Sequence, residues 1–239
     1  MSAHRLYTAR LARSQQLSPQ TFHLEFAVEG VSRFAFVAGQ WLSVHAQHSG
    51  QKMTRAYSIA SAPRHDNTFD LCLNRVPGGF LSHYLCELPL GAEVKFHGPY
   101  GNFILHSPVR DALFVANGTG IAPIRGMLQW LFADAERHHG RHFWLVFGVR
   151  FQPDLYYHDE FLDLAGRHPN FGYLPTLSRP GADWKGAQGY VQEHLPGIAA
   201  GRTGTDAYIC GLQNMVSATR TLLKELGWDR QSIRYEKYD

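Results

Sequence analysis

The first 105 residues carry short runs in which apolar and polar positions alternate, with turn residues between the runs. Alternation with a period of two is typical of strands that bury one face. Strands spaced this regularly predict a closed antiparallel β-barrel. The segment GGFLSHYLCEL differs, because Phe80, Tyr84 and Leu88 recur at helical spacing and predict a helix across one end of the barrel. The predicted strands are HRLYTARLAR, TFHLEFAVE, QWLSVHAQ, TRAYSIAS, TFDLCLNRV and AEVKFHGPY.

From about residue 111 the pattern changes to apolar runs that alternate with amphipathic stretches. This rhythm predicts an α/β domain with a doubly wound parallel sheet and helices on both faces. We therefore predict two domains, residues 1–105 and 111–239, joined by the linker HSPVRD. The predicted strands are ALFVAN, FWLVFG, FGYLPTLS, DAYICG and SIRYEKY. The predicted helices are APIRGMLQWLFADAERH, DLYYHDEFLDLAG, GYVQEHLPG and LQNMVSATRTLLKELG.

Composition narrows the class of protein. With 44% hydrophobic and 18% charged residues, the 239-residue chain is typical of soluble globular proteins. No apolar run is long enough to cross a bilayer and the start lacks the apolar middle of a secretory signal, so we expect a cytoplasmic protein without membrane contact. A net charge of +3 is too small to indicate nucleic-acid binding. The sequence leaves the oligomeric state open.

The cysteines and histidines give no pattern of metal binding. Cys72, Cys86 and Cys210 lie far apart, so neither a disulfide framework nor an iron–sulfur site can be built from them. The 14 histidines are scattered without ligand spacing, and we predict no metal site.

A glycine-rich turn in VANGTGIAPIRG follows the first predicted strand of the second domain. Gly118 and Gly120 let the backbone turn sharply, and Thr119 adds a hydroxyl. The next helix points its N–H groups at this turn, which suits a pyrophosphate. Pro123 stands where a third glycine is common and suits a first helical turn. Alone, such a turn is equally compatible with a purely structural connection.

Further motifs make the interpretation of this turn more specific. RAYSIAS, GTGIAP and YICGLQNM occur in this order, together with GGFLSHYL, VFGVR and a terminal YEKYD. In these motifs the chain resembles the ferredoxin–NADP reductase superfamily over nearly its whole length. The resemblance implies an N-terminal FAD-binding barrel and a C-terminal domain that binds a nicotinamide nucleotide.

The resemblance assigns the flavin site to three stretches of the barrel. In RAYSIAS, Arg55 would pair with flavin phosphates, Tyr57 would stack along the isoalloxazine ring and Ser58 would reach its reactive N5 edge. In GGFLSHYL, a helix start would receive the pyrophosphate, with a serine as an added donor. The remaining residues predicted to bind flavin are Ala56, Leu73, Asn74, Gly78, Gly79, Phe80, Leu81 and Ser82. An ordinary barrel strand and a plain capping helix are the structural alternatives.

The nicotinamide site is assigned in the same way. Cys210, followed by Gly211, would pack near the nicotinamide, while Glu236 would lie near the flavin edge and Tyr238 would cover the flavin ring. Together with Ser58, Cys210 and Glu236 form the predicted catalytic set. The resemblance also places a 2'-phosphate contact at Ser178 and Arg179, with Arg150 nearby, which favours NADPH while leaving NADH possible.

These assignments predict an oxidoreductase that transfers a hydride between NADP(H) and bound FAD and single electrons between the flavin and a carrier. Without cysteines for an iron–sulfur cluster, the carrier must be a separate molecule. Ferredoxin or flavodoxin, both typically acidic, would suit a basic rim that includes Arg33, Lys52, Arg64 and Arg75. Three alternatives stay open: an NADH-dependent reductase component serving an oxygenase, a flavin or quinone reductase, and a flavin-binding redox sensor that does not turn over.

Overall fold

The computed structural model describes residues 5–48, 50–202 and 204–238. It contains two compact units. The first comprises Met1–Ile104 and Arg125–Trp130, and the second comprises Leu105–Ile124 and Leu131–Asp239.

The first unit contains a six-stranded antiparallel sheet in the order β4-β3-β6-β1-β2-β5. A bridge between Ile59 and Leu71 links the chain just beyond β4 to β5, so the two edge strands approach each other. The predicted antiparallel flavin-domain barrel is confirmed. Its strands are β1 (Leu6–Ser18), β2 (Thr21–Val28), β3 (Trp41–His48), β4 (Gln51–Ser58), β5 (Thr68–Asn74) and β6 (Glu93–Tyr100).

Aromatic side chains fill the inside of this sheet. The Phe69 ring lies 5.2 Å from the Phe96 ring and 5.6 Å from the Phe34 ring, measured between centroids. Phe26 stacks on Phe69 at 5.5 Å. All four rings are buried, and their burial together with that of neighbouring aliphatic side chains stabilises this unit.

Helix α1 (Phe80–Cys86) is shorter than its apolar pattern suggests. Its buried residues include Leu81 and Leu85, which lie one turn apart, whereas Leu88 lies beyond the helix end. Tyr84 and Leu88, two of the three residues whose spacing predicted the helix, are partly buried against the same core. A seven-residue helix with apolar residues on two sides does not reveal from its own sequence which side is covered.

The second unit contains a parallel sheet in the order β10-β9-β8-β7-β11-β12. This confirms the predicted α/β class and adds β10, which was not predicted. The strand order changes direction at β7, and ligands of such sheets bind at the carboxyl ends beside this point. The strands are β7 (Ala112–Asn117), β8 (Phe143–Val149), β9 (Phe171–Leu177), β10 (Ala187–Gln188), β11 (Asp206–Leu212) and β12 (Ile233–Tyr238).

The helices of the second half follow the predicted order, except that one predicted helix is split into two. The segment predicted as a single helix forms two, because Asp134 accepts a hydrogen bond from the Glu136 N–H and starts a new helix. The helices are α2 (Ile121–Phe132), α3 (Ala135–His138), α4 (His158–Arg167), α5 (Val191–Ala199) and α6 (Gln213–Glu225). Among the described residues, no helix is long and apolar enough to cross a membrane, and no cluster of three or more His, Cys, Asp or Glu side chains is placed to bind a metal ion.

Candidate cofactor sites

Strand β4, which carries RAYSIAS, is unusual in its exposure. A strand in a half-buried sheet hides every second side chain, but Thr54, Arg55 and Ala56 are all exposed. β4 is an edge strand whose centre is uncovered on both faces, a geometry that leaves room for a planar ligand. The Arg55 Nη1 donates to the Thr54 carbonyl oxygen at 2.9 Å, and this guanidinium can still pair with phosphate.

The last two residues of β4 are more enclosed. Tyr57 is half-buried, and burial raises the pKa of its hydroxyl to about 12, with a smaller contribution from the Cys86 thiol. Its hydroxyl therefore stays protonated at neutral pH. Ser58 is buried at the end of the strand, opposite Trp41 of β3.

The turn before α1 uses its polar groups largely within the fold. Ser82 Oγ donates to the Gly79 carbonyl oxygen at 2.9 Å and accepts from the Val76 N–H at 3.0 Å. Its one proton is thus committed to the turn, so a ligand here would rely on first-turn backbone N–H groups, including those of Phe80 and Leu81. Gly78 adopts a φ of 73°, which favours glycine.

Two further predicted flavin contacts have partners in the barrel. Leu73 is buried within the hydrophobic core of the first unit. Asn74 Oδ1 accepts a hydrogen bond from Thr21 Oγ1 at 2.7 Å. The flavin roles of both residues remain predictions. At Leu73 the backbone atoms are the groups available to contact a flavin, because the side chain is buried.

The glycines of the phosphate loop have different environments. A 3-10 turn spans Gly118–Gly120 and leads directly into α2. Gly118 has a φ of 53°, and a Cβ there would meet no atom within 4 Å. A Cβ on Gly120 would lie only 2.2 Å from the Cys210 carbonyl oxygen. A side chain at Gly118 would therefore enter open space, and Thr119 is half-buried, whereas Gly120 permits close packing of the loop on β11. Pro123 lies in the first turn of α2, where a missing N–H costs no helical bond.

An asparagine that the sequence motifs did not single out fixes the neighbouring strand end. Asn117 Oδ1 accepts a hydrogen bond from the Leu212 N–H at 2.9 Å. A Cβ on Gly211 would lie 1.9 Å from this oxygen, and Gly211 has a φ of 145°. Gly211 thus allows the bond between the ends of β7 and β11. An Asn directly before G-x-G is the one local sign of this role.

The predicted catalytic residues of the second unit meet at the ends of β11 and β12. Cys210 pairs in register with Glu236, and Leu212 with Tyr238. The Cys210 thiol is fully buried; burial raises its pKa well above the ordinary value, the Glu236 carboxylate raises it further, and a hydrogen bond with Tyr238 opposes the shift. The thiol is therefore suited to packing and not to nucleophilic attack.

The predicted 2'-phosphate contacts lie at the carboxyl ends of neighbouring strands. The Arg179 N–H donates to the Arg150 carbonyl oxygen at 2.9 Å, and the Ser178 N–H donates to the Val149 carbonyl oxygen at 3.0 Å. These bonds hold the backbones of Arg150 and Arg179 side by side just beyond β8 and β9. Both side chains are exposed. Two cations and a hydroxyl at this edge form a donor set that fits a phosphate.

Two features fit a two-domain oxidoreductase that uses a flavin and a nicotinamide nucleotide: an exposed strand with a cation and an aromatic ring, and a parallel-sheet edge with a glycine turn. Residues 8–104 match the oxidoreductase FAD-binding domain family, and residues 114–221 match the oxidoreductase NAD-binding domain family. The chain belongs to the ferredoxin–NADP reductase family of flavoproteins, which confirms the resemblance seen in its motifs.

The similar proteins include both stand-alone reductases and oxygenase components. Ferredoxin–NADP reductase B of Sorangium cellulosum is 42% identical, with 98% of each chain covered. The toluate 1,2-dioxygenase electron transfer component of Pseudomonas putida is 32% identical over 97% of this chain and 67% of its own length. In structure, the Amycolatopsis cytochrome P450 reductase GcoB matches with a TM-score of 0.86 and 29% identity, covering 98% of this chain and 71% of that one.

Proposed function

We propose that this protein is an NADPH-dependent reductase that passes electrons singly to an acidic carrier of the ferredoxin or flavodoxin type. When bound, FAD supplies the exchange between a two-electron hydride donor and a one-electron acceptor. Arg55 would hold its phosphates, Tyr57 would pack along its ring and Ser58 would donate at its N5 edge. Cys210 and Glu236 would orient the nicotinamide, and Tyr238 would cover the flavin ring.

The proposed preference for NADPH over NADH rests on the two arginines just beyond β8 and β9. Arg150 and Arg179 have their backbones joined by a hydrogen bond, and we propose that their guanidinium groups bind a single phosphate. Neutral ribose hydroxyls gain little from two adjacent cations, whereas a 2'-phosphate gains charge-assisted hydrogen bonds from both. Because NADPH carries the 2'-phosphate and NADH does not, the two cations favour NADPH.

The surface charges support binding of an acidic carrier, but fewer basic residues are available for it than the sequence alone indicates. Arg33 and Lys52 are exposed. Arg64 instead forms a bidentate pair with Asp70, and the Arg75 guanidinium lies over the Phe22 ring. We propose that Arg33 and Lys52 contribute most to binding an acidic partner by long-range attraction.

The test is anaerobic mixing of the purified flavoprotein with NADPH and with NADH, followed by the bleaching of flavin absorbance. We expect faster bleaching at lower concentrations of NADPH. Because a charge-assisted hydrogen bond contributes about 1.5–3 kcal/mol, Arg179→Ala should weaken NADPH roughly 10- to 100-fold. NADH should be unaffected. Arg167→Ala is the matched control, since Arg167 is an exposed arginine that pairs with Asp163 on the same helix.

A double-mutant cycle sharpens this test. If Arg150 and Arg179 contact one phosphate, the double variant should lose less NADPH affinity than the sum of the single losses. Independent, additive losses would argue against a shared phosphate. An unchanged nucleotide preference in Arg179→Ala would show that the phosphate is bound elsewhere.

The second candidate is an NADH-dependent reductase serving an oxygenase, which the 32% identical toluate dioxygenase component favours. Faster bleaching by NADH would support it. Loss of FAD on gel filtration would indicate a reductase of free flavin, and reduction of a quinone with no reduction of a protein carrier would indicate a quinone reductase. A bound flavin that neither nucleotide bleaches would indicate a redox sensor.

A further inference from the structure

The chain turns a corner immediately after Ser58. Ser58 is the last residue of β4 to pair with β3. The next residue, Ile59, bridges to Leu71 of β5, and the Ala60 N–H donates to the Asp70 carbonyl oxygen at 2.8 Å. The position of Ser58 therefore depends on how this corner is held.

Asp70 is the centre of the corner. Its side chain is 1% exposed and forms a bidentate pair with Arg64, with Nη1–Oδ1 and Nη2–Oδ2 distances of 2.9 and 2.8 Å. Arg125 Nη1 lies 3.4 Å from Asp70 Oδ2, and His23 Nε2 lies 3.7 Å from the same oxygen. A buried carboxylate with partners on several sides is a rigid arrangement, since moving it would leave charge uncompensated.

Arg125 connects this carboxylate to the backbone beside Ser58. The same Nη1 donates to the Ala60 carbonyl oxygen at 2.8 Å. The Asp70 N–H in turn donates to Ser61 Oγ at 3.1 Å. The two residues that follow Ile59 are thus each bonded to Asp70, and the first of them is also bonded to Arg125.

The helix segment Arg125–Trp130, which belongs to the first unit, covers the rest of the corner. Gln129 lies one turn after Arg125 on the same helix face, and its Oε1 accepts a hydrogen bond from the Ala62 N–H at 3.1 Å. Between them, Gly126 approaches so closely that a Cβ would lie 2.6 Å from the Ser61 carbonyl oxygen. Three successive residues beyond Ile59 are therefore fixed by one helix face.

We propose that Asp70 and Arg125 are positioning residues that hold the Ser58 hydroxyl in place for the flavin. The inference rests on the proposed function of Ser58 at the N5 edge of FAD. Neither residue needs to touch the flavin, because they act through Ala60 and Ser61. Arg125 is suited to this role since a planar guanidinium can serve a carboxylate and a carbonyl together, which the ammonium of a lysine does less well.

The test compares Arg125→Met and Arg125→Lys with Arg10→Met. Arg10 is the matched control, because it is a barrel arginine bonded to Glu29 and Glu93 outside this corner. In Arg125→Met, Asp70 keeps its bidentate Arg64 partner, so the barrel should still fold. If Arg125→Met does not fold, Arg125→Lys retains the charge and carries the comparison.

Four quantities are measured on the flavin-loaded proteins. They are the FAD dissociation constant, the visible circular dichroism of bound flavin, and the limiting rate and half-saturating NADPH concentration of anaerobic flavin bleaching. Because misplacing a reacting group by about 1 Å can cost roughly 100-fold in rate, we expect Arg125→Met to lower the limiting rate about 10- to 100-fold. The dichroic band should change and half-saturation should stay close to that of the wild type. Arg125→Lys should be intermediate, and Arg10→Met unchanged.

Several results would overturn the inference. One is a wild-type rate and dichroic band in Arg125→Met, and another is the same changes in Arg10→Met. A loss confined to the half-saturating NADPH concentration would place Arg125 in nucleotide binding instead. If the wild-type protein binds FAD but neither nucleotide bleaches it, the proposed function fails alone, and the dichroic band and FAD affinity still decide the role of Arg125. A wild-type protein without affinity for FAD would overturn both.

Discussion

Replacing Gly120 by alanine tests whether this glycine of the phosphate loop serves packing more than ligand binding. A Cβ there would lie 2.2 Å from the Cys210 carbonyl oxygen, 2.5 Å from its carbon and 2.7 Å from the Gly211 Cα. These are backbone atoms at the end of a central strand, so they cannot rotate away as a side chain would. Either the loop or β11 must shift. Overpacking of this kind costs about 1–3 kcal/mol, and the backbone contacts place Gly120→Ala near the upper end.

Gly118→Ala is the comparison within the same turn. A Cβ on Gly118 would meet no atom within 4 Å, and the strain comes only from its φ of 53°. Placing a non-glycine residue in the left-handed region costs about 1–2 kcal/mol. At about 2–4 °C per kcal/mol for a chain of this size, Gly120→Ala should lower the melting temperature by roughly 6–12 °C and Gly118→Ala by roughly 2–8 °C, about one third to two thirds as much.

The assay is thermal unfolding followed by far-ultraviolet circular dichroism, with NADPH affinity measured on each folded variant. We expect Gly118→Ala to weaken NADPH binding, because its side chain would enter the accessible space at the loop. This loss of NADPH affinity should be larger than its loss of folding stability alone would cause. A Gly120→Ala protein that melts with the wild type would refute the packing argument. So would a Gly118→Ala protein that is the less stable of the two.

Two further predictions concern buried ionisable groups. Burial raises the pKa of Asp206 above its ordinary value of 3.8, and nearby His106, Arg110 and Arg234 only partly oppose this shift. The folded wild-type protein therefore loses stability as pH rises from 3.8 through the raised pKa of Asp206. In urea titrations, the free energy of unfolding of Asp206→Asn should increase relative to that of the wild type between pH 3.8 and neutrality. A difference that stays constant over this range would contradict the prediction. The buried, protonated thiol of Cys210 should react with a thiol reagent only as fast as the protein opens, and prompt labelling of Cys210 in the native protein, located by mass spectrometry, would count against its burial.

The strands were predictable because hydrophobic alternation is a local property. TFHLEFAVE and ALFVAN correspond to β2 (Thr21–Val28) and β7 (Ala112–Asn117) within a residue. Short elements were harder, because their position depends on neighbours. The two residues of β10 carry no periodicity of their own and form a strand only through pairing with β9.

The same distinction separates the site residues. Arg55 and Gly118 occur in motifs that can be read along the chain. Arg55 is exposed, and a Cβ on Gly118 would meet no atom within 4 Å, as a ligand site requires. Asp70 appears in the sequence only as a polar interruption of an apolar strand, and its partner Arg125 is 55 residues away. No local pattern contains such a pair, because the contact exists only after the barrel corner and the helix face have formed.

Many of the candidate site residues lie at or just beyond the ends of strands, and the hydrogen-bond ladders explain why. Ser58 ends β4, Cys210 lies near the end of β11, and Arg150 and Ser178 follow β8 and β9 directly. Inside a ladder both neighbouring strands and the layers above and below restrict a side chain, whereas at its end the backbone is still fixed by the last bonds and one side is open. Such positions combine a precise backbone with access to a ligand. Substitutions of buried residues in the middle of the ladders should therefore act mainly on stability, and substitutions at or just beyond the strand ends mainly on binding and rate.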